Sequence, residues 1–80
     1  MIIVVTKYAE YEVDRIERVW RRVSVRHPRS NDGVWVNGGF TIGGSVGDRC
    51  YAHYEDDFTG TGALGRWTSP LISVTVEGSQ

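Results

Sequence analysis

The spacing of apolar and polar positions changes along this chain, and each spacing predicts an element. Residues 2–5 (IIVV) are continuous and β-branched, so they predict a strand buried on both faces and central in a sheet. In residues 8–26 (YAEYEVDRIERVWRRVSVR), Ala9, Val13, Ile16, Trp20 and Val23 recur at alternating steps of four and three, and Val19 widens the stripe. That spacing predicts an amphipathic helix. The charges agree with it. Glu10, Glu12 and Asp14 precede Arg18, Arg21, Arg22 and Arg26, which complements a helix macrodipole. Asp14–Arg18 and Glu17–Arg21 have the acid-before-base spacing that supports a helix face. Thr6 is placed to act as N-cap, and Pro28 should end the helix by His27. The rival reading takes residues 22–27, with alternating Val23 and Val25, as a strand already.

Beyond the polar loop at residues 27–32 the period shortens to two. Asn37-Gly38 lies between the β-prone runs Val34-Trp35-Val36 and Phe40-Thr41-Ile42, which predicts a two-residue type I′ hairpin. Gly43, Gly44 and Gly47 mark a turn, and residues 50–54 (CYAHY) alternate as a third strand of the meander. Residues 55–65 (EDDFTGTGALG) read as a polar contact loop or a mobile one, and residues 71–76 (LISVTV) as the final strand. The expected fold is therefore α+β: one amphipathic helix packed on a roughly five-stranded, mostly antiparallel sheet, with the terminal strands as neighbours. If the helix fails, the alternative is a small all-β barrel or sandwich.

Length limits the rest. Eighty residues make a single domain spanning 1–80. A chain of this size buries only roughly 60% of its unfolded surface, so its stability is modest. The single cysteine, Cys50, excludes an intrachain disulfide and a cysteine-rich zinc site, and a free thiol fits a reducing cytosol. The apolar run MIIVV is too short for a signal peptide or a membrane span. A soluble, cytoplasmic protein with no membrane partner is expected. The formal net charge of −1 conceals a polarity. Arg15, Arg18, Arg21, Arg22, Arg26 and Arg29 face only Glu17 in their stretch, whereas Asp32, Asp48, Glu55, Asp56, Asp57 and Glu77 outnumber Arg49 and Arg66 after it. Such bipolarity favours a charge-steered contact over general nucleic-acid affinity, which usually needs a strongly basic domain.

Candidate chemistry is thin. Gly60-Thr61-Gly62-Ala63-Leu64-Gly65 matches a dinucleotide fingerprint, but Arg66–Pro70 cannot open the helix that must follow it. Cys50, His53, Asp56 and Asp57 are close in sequence, yet Cys50 and His53 point to opposite faces of a strand, and Cys50 reads as a small core residue. No catalytic residue, metal ligand or cofactor is therefore expected. The acidic block Glu55-Asp56-Asp57 is a solvated loop or a contact surface for a basic partner. The arginines form a solvated face or a recognition surface for phosphates or carboxylates, which suit the planar guanidinium fork. Arg22, Arg26 and Arg29 are the partner-binding candidates on that side, and Glu55, Asp56 and Asp57 on the other. Tyr8, Tyr11, Tyr51 and Tyr54 could serve a protein interface, while Trp20 belongs to the core by its period.

Near the C-terminus, Arg66-Trp67-Thr68-Ser69-Pro70-Leu71-Ile72-Ser73-Val74 resembles the ending of many short proteins of tailed phages and prophages. The small size and β-rich style also resemble anti-CRISPR proteins, a class of phage inhibitors without a shared motif. The resemblance implies a small phage accessory protein in the host cytoplasm that binds a host protein complex, such as a CRISPR effector, and blocks it by steric and electrostatic occlusion. The alternatives are a nucleic-acid-binding module using the arginine face and sheet aromatics, or a structural virion or oligomer-forming protein.

Overall fold

The computed structural model describes residues 1–24, 27–56, 60 and 62–77. Its strands are β1 (Ile2–Thr6), β2 (Glu10–Asp14), β3 (Val19–Val23), β4 (Val36–Asn37), β5 (Phe40–Thr41), β6 (Arg49–His53) and β7 (Gly65–Val76). They form one antiparallel sheet, curled into a half-barrel, in the order β4-β3-β2-β1-β7-β6-β5. No described residue is helical, so the expected α+β fold gives way to an all-β one.

The helix fails because part of its stripe, Val13 and Trp20, is also a hairpin's. β2 and β3 are joined by the turn at residues 15–18, and the register sets Val13 opposite Trp20 and Tyr11 opposite Arg22. Positions seven apart lie on one face of a helix; around this turn the pair 13 and 20 also shares a face, as direct cross-strand neighbours. Ile16 separates the two readings. A helix would bury it, and here it sits at the turn with 92% of its surface exposed. The side chain of Asp14 builds that turn, its Oδ1 accepting the N–H groups of Ile16 and Glu17 at 3.0 Å each. Arg18 closes it in the left-handed region at φ 57°. The charge order that suited a helix dipole serves a ladder instead, with Arg21 hydrogen-bonded to Glu12 directly across it. Thr6 caps no helix. Its buried hydroxyl donates to Ala9 O at 3.0 Å and tightens the β1–β2 turn.

The Asn37-Gly38 hairpin is also corrected. β4 pairs with β3 and β5 with β6, so the two short strands lie at opposite ends of the strand order although only Gly38 and Gly39 separate them in sequence. Gly38 N–H donates to Arg18 O on one side at 3.0 Å. On the other, Gly39 O and Asn37 O accept the N–H groups of His53 and Glu55 at 2.9 and 2.8 Å. The segment is thus one kinked strand that ties the two ends of the sheet together. Gly38 is required there, because a Cβ would stand 2.0 Å from the His53 carbonyl oxygen and φ is 150°.

β1 lies at the middle of the order and pairs with β7, so the terminal strands are neighbours as the sequence suggests. It is not buried on both faces: Val4 and Thr6 are buried, and Ile3 and Val5 only half so. β7 is a corner strand. Its first half pairs with β6 and its second with β1, with register shifts beside the change. Thr68-Ser69-Pro70 sits at that corner and satisfies the groups the bend would orphan. Thr68 Oγ1 accepts Cys50 N–H at 3.0 Å and donates to Ser69 O at 2.8 Å. Ser69 Oγ accepts Tyr8 N–H at 3.0 Å and donates to Thr6 Oγ1 at 2.8 Å. The motif that resembles phage-protein endings has an architectural use here.

Inside the curl, Tyr11, Trp20, Phe40 and Tyr54 form an aromatic cluster over Val4, Cys50 and Ala52. Trp20 lies at its centre with Nε1 donating to His53 O at 2.9 Å, which satisfies the one polar atom its burial would strand.

Candidate functional site

The charged candidates separate on folding. Arg22 alternates inward on β3 and is buried; its Nη1 donates to both oxygens of Asp32 at 2.8 and 2.9 Å, and its Nη2 to His27 O at 3.0 Å. It pins the loop after β3 and offers no free face to a partner. Asp32 is held further by the Arg29 N–H at 2.9 Å. Partial burial pushes the Asp32 carboxyl up, but the Arg22 and Arg29 hydrogen bonds and their charges outweigh it and leave it below its ordinary value. Arg29 is exposed, as are Glu55 and Asp56, and Asp56 reaches Asn37 Nδ2 at 3.4 Å. Arg26 and Asp57 lie outside the described residues.

A different surface is built on the outside of β5, β6 and β7. On β6, Cys50 and Ala52 are fully buried, so Arg49, Tyr51 and His53 face outward. β7 sets Trp67 opposite Tyr51, and β5 sets Thr41 on its other side. The rings form a row: Tyr51 meets Trp67 at 4.9 Å and His53 at 4.8 Å, both edge to face. His53 Nε2 is fixed by Thr41 Oγ1 at 3.0 Å. Gly65 lies opposite His53, where a Cβ would stand 2.6 Å from the Tyr51 ring, so only glycine lets that ring lie in the row. Trp67 keeps 64% of its surface exposed. Arg49 continues the β6 face at one end, and the Arg18 guanidinium flanks Gly39 beside His53 at the other.

Alternation within residues 50–54 is the signal for Tyr51 and His53. Trp67 has no such signal, because the final strand is expected only from residue 71 and β7 begins at Gly65. Of the four tyrosines, Tyr11 and Tyr54 are buried in the core, Tyr8 is half-exposed and Tyr51 belongs to the row. Cys50 is a buried free thiol on the face opposite His53. Among the described residues no three His, Cys, Asp or Glu side chains are grouped to hold a metal ion. Gly65 of the fingerprint-like run opens a strand, not a helix. No helix among the described residues is long and apolar enough to cross a membrane. No protein-family model, curated protein or solved structure matches the chain.

Proposed function

We propose that the protein is a small binding protein that docks on a partner protein through the Trp67–Tyr51–His53 row and acts by occupying that partner's surface. The observation that carries this reading is Trp67, exposed by 64% yet braced against Tyr51 at 4.9 Å. A large side chain held rigid before binding loses little entropy on docking, and Trp, Tyr and Arg are the residues that dominate interface energetics. Arg49 and Arg18 border the row, and Glu55 and Asp56 follow β6, so charge of both signs surrounds an aromatic centre. That is the layout of a protein interface, with an apolar middle and a polar rim. The likeness to phage accessory inhibitors makes a host effector complex, such as a CRISPR effector, the first partner to try, with inhibition by steric occlusion.

A second reading is a single-stranded nucleic-acid module, favoured by aromatic rings on an open sheet face with arginine at both ends. One experiment separates them. Tagged protein is used to capture partners from host lysate with and without nuclease, beside Trp67→Ala. Stoichiometric capture that survives nuclease and is lost with Trp67→Ala supports the proposal. Nucleic acid recovered alone and lost on nuclease treatment moves the function to the second reading. Unchanged protein capture by Trp67→Ala removes the row from the account.

A further inference from the structure

The loop after β3 and the start of β7 enclose a cleft of about 120 Å³ whose walls include Arg22, Arg29, Arg66, Ser30, Asn31 and Asp32. Buried Trp20 and Val36 also line it, so charges there act beside an apolar wall. Its charge does not balance. Among the described residues Asp32 is the one carboxylate lining it, and both its oxygens are already taken, Oδ1 by Arg22 and Oδ2 by Arg22 and the Arg29 N–H. The guanidiniums of Arg29 and Arg66 therefore have no carboxylate of their own among the described residues that line the cleft. The three arginines also act at a common point: burial pushes the Tyr11 hydroxyl up, and the charges of Arg66, Arg22 and Arg29 all oppose that shift.

We propose that this cleft is a phosphate-binding site, in which Arg29 and Arg66 hold the oxyanion and Ser30 and Asn31 complete its hydrogen bonds. Size sets the class of ligand. Pockets for drug-sized molecules run from about 300 Å³ upward, so this one takes an ion-sized group and not a base with its sugar. Two guanidinium forks, one from the loop and one from β7, suit a tetrahedral group with four oxygens better than a planar carboxylate with two. Arg22 acts as the frame: its pairing with Asp32 fixes the loop that carries Arg29, Ser30 and Asn31. The site is independent of the outer aromatic row, because Arg66 pairs opposite inward-facing Ala52 while Trp67 pairs opposite Tyr51.

The test is a calorimetric titration of the full chain with inorganic phosphate, with ionic strength held constant by chloride. Saturable binding is expected, weakened about tenfold by Arg66→Met and by Arg29→Gln. Arg66→Lys, which keeps the charge and loses the fork, should fall between wild type and Arg66→Met. Arg49→Gln on the outer face should leave binding unchanged, and acetate should bind at least about tenfold more weakly than phosphate. Three outcomes overturn the proposal: no saturable heat from phosphate, equal affinity in the two cleft variants and wild type, or equal weakening by Arg49→Gln. Equal binding of acetate overturns the choice of phosphate.

Discussion

Replacing Arg22 by Met removes a guanidinium while keeping an unbranched apolar stem of similar reach. Three hydrogen bonds go with it, two to Asp32 and one to His27 O. Breaking a fully buried ion pair from one side costs about 3–5 kcal/mol. Here the Asp32 side chain keeps 16% of its exposure and still accepts the Arg29 N–H, so partial rehydration lowers the cost. We expect about 2–3 kcal/mol, which for a domain of this size is a fall in Tm of about 10–20 °C. Urea unfolding followed by tryptophan fluorescence should show the midpoint moving at unchanged slope. The double variant Arg22→Met/Asp32→Leu should recover most of the loss, because an apolar pair replaces an ion pair without stranding a charge. A single Arg22→Met variant within about 0.5 kcal/mol of wild type would refute the reasoning and return Arg22 to the partner-binding candidates.

The same pair predicts a pH dependence. Asp32 lies below its ordinary value of 3.8 in the folded state, so its contribution is fully present above that value and is lost as pH falls through the lower, folded one; acid titration of stability should flatten in Arg22→Met. Ile16→Lys discriminates hairpin from helix directly: at 92% exposure it should change stability by less than about 0.5 kcal/mol, where a helix core position would cost about 2–5 kcal/mol. Gly38→Ala forces a Cβ to within 2.0 Å of the His53 carbonyl oxygen and should cost about 3 kcal/mol in the same urea assay. Thr68→Val leaves the Cys50 N–H without its acceptor inside the bend and should cost about 1–3 kcal/mol, again by urea unfolding.

Three strands and the neighbourhood of the terminal two were legible in the sequence; the β2–β3 hairpin and the rest of the pairing were not. Residues 2–5, 50–54 and 71–76 fall within β1, around β6 and within β7, because each carries its own periodicity or β-branched run. Residues 8–26 carry two readings at once. A stripe at steps of four and three coincides with a hairpin stripe at Val13 and Trp20 when the turn sits between them; Ile16 is exposed at that turn, and Val19 and Val23 alternate to the face of β3 opposite Trp20 and Arg22. Local propensity could not decide this, since the rings that pack on Tyr11 and Trp20 are Phe40 and Tyr54, distant in sequence. Asn37-Gly38 misled in another way: its glycine is required by a close approach to the His53 carbonyl, not by a tight turn. Arg22 is buried and paired, and so differs from the exposed recognition residue expected, for the same non-local reason. Asp32 lies ten positions from Arg22, and nothing in either run says that they meet.

The central claim is that an aromatic row, and not a charged end, makes the contact. Three baits compared in one capture experiment test it: wild type, Trp67→Ala and Glu55→Lys/Asp56→Lys, each first shown to be folded by its urea midpoint. The charge-reversed bait should retain the wild-type partner, and Trp67→Ala should lose it. Retention by Trp67→Ala together with loss by the charge-reversed bait would contradict the account and place the contact on the acidic end.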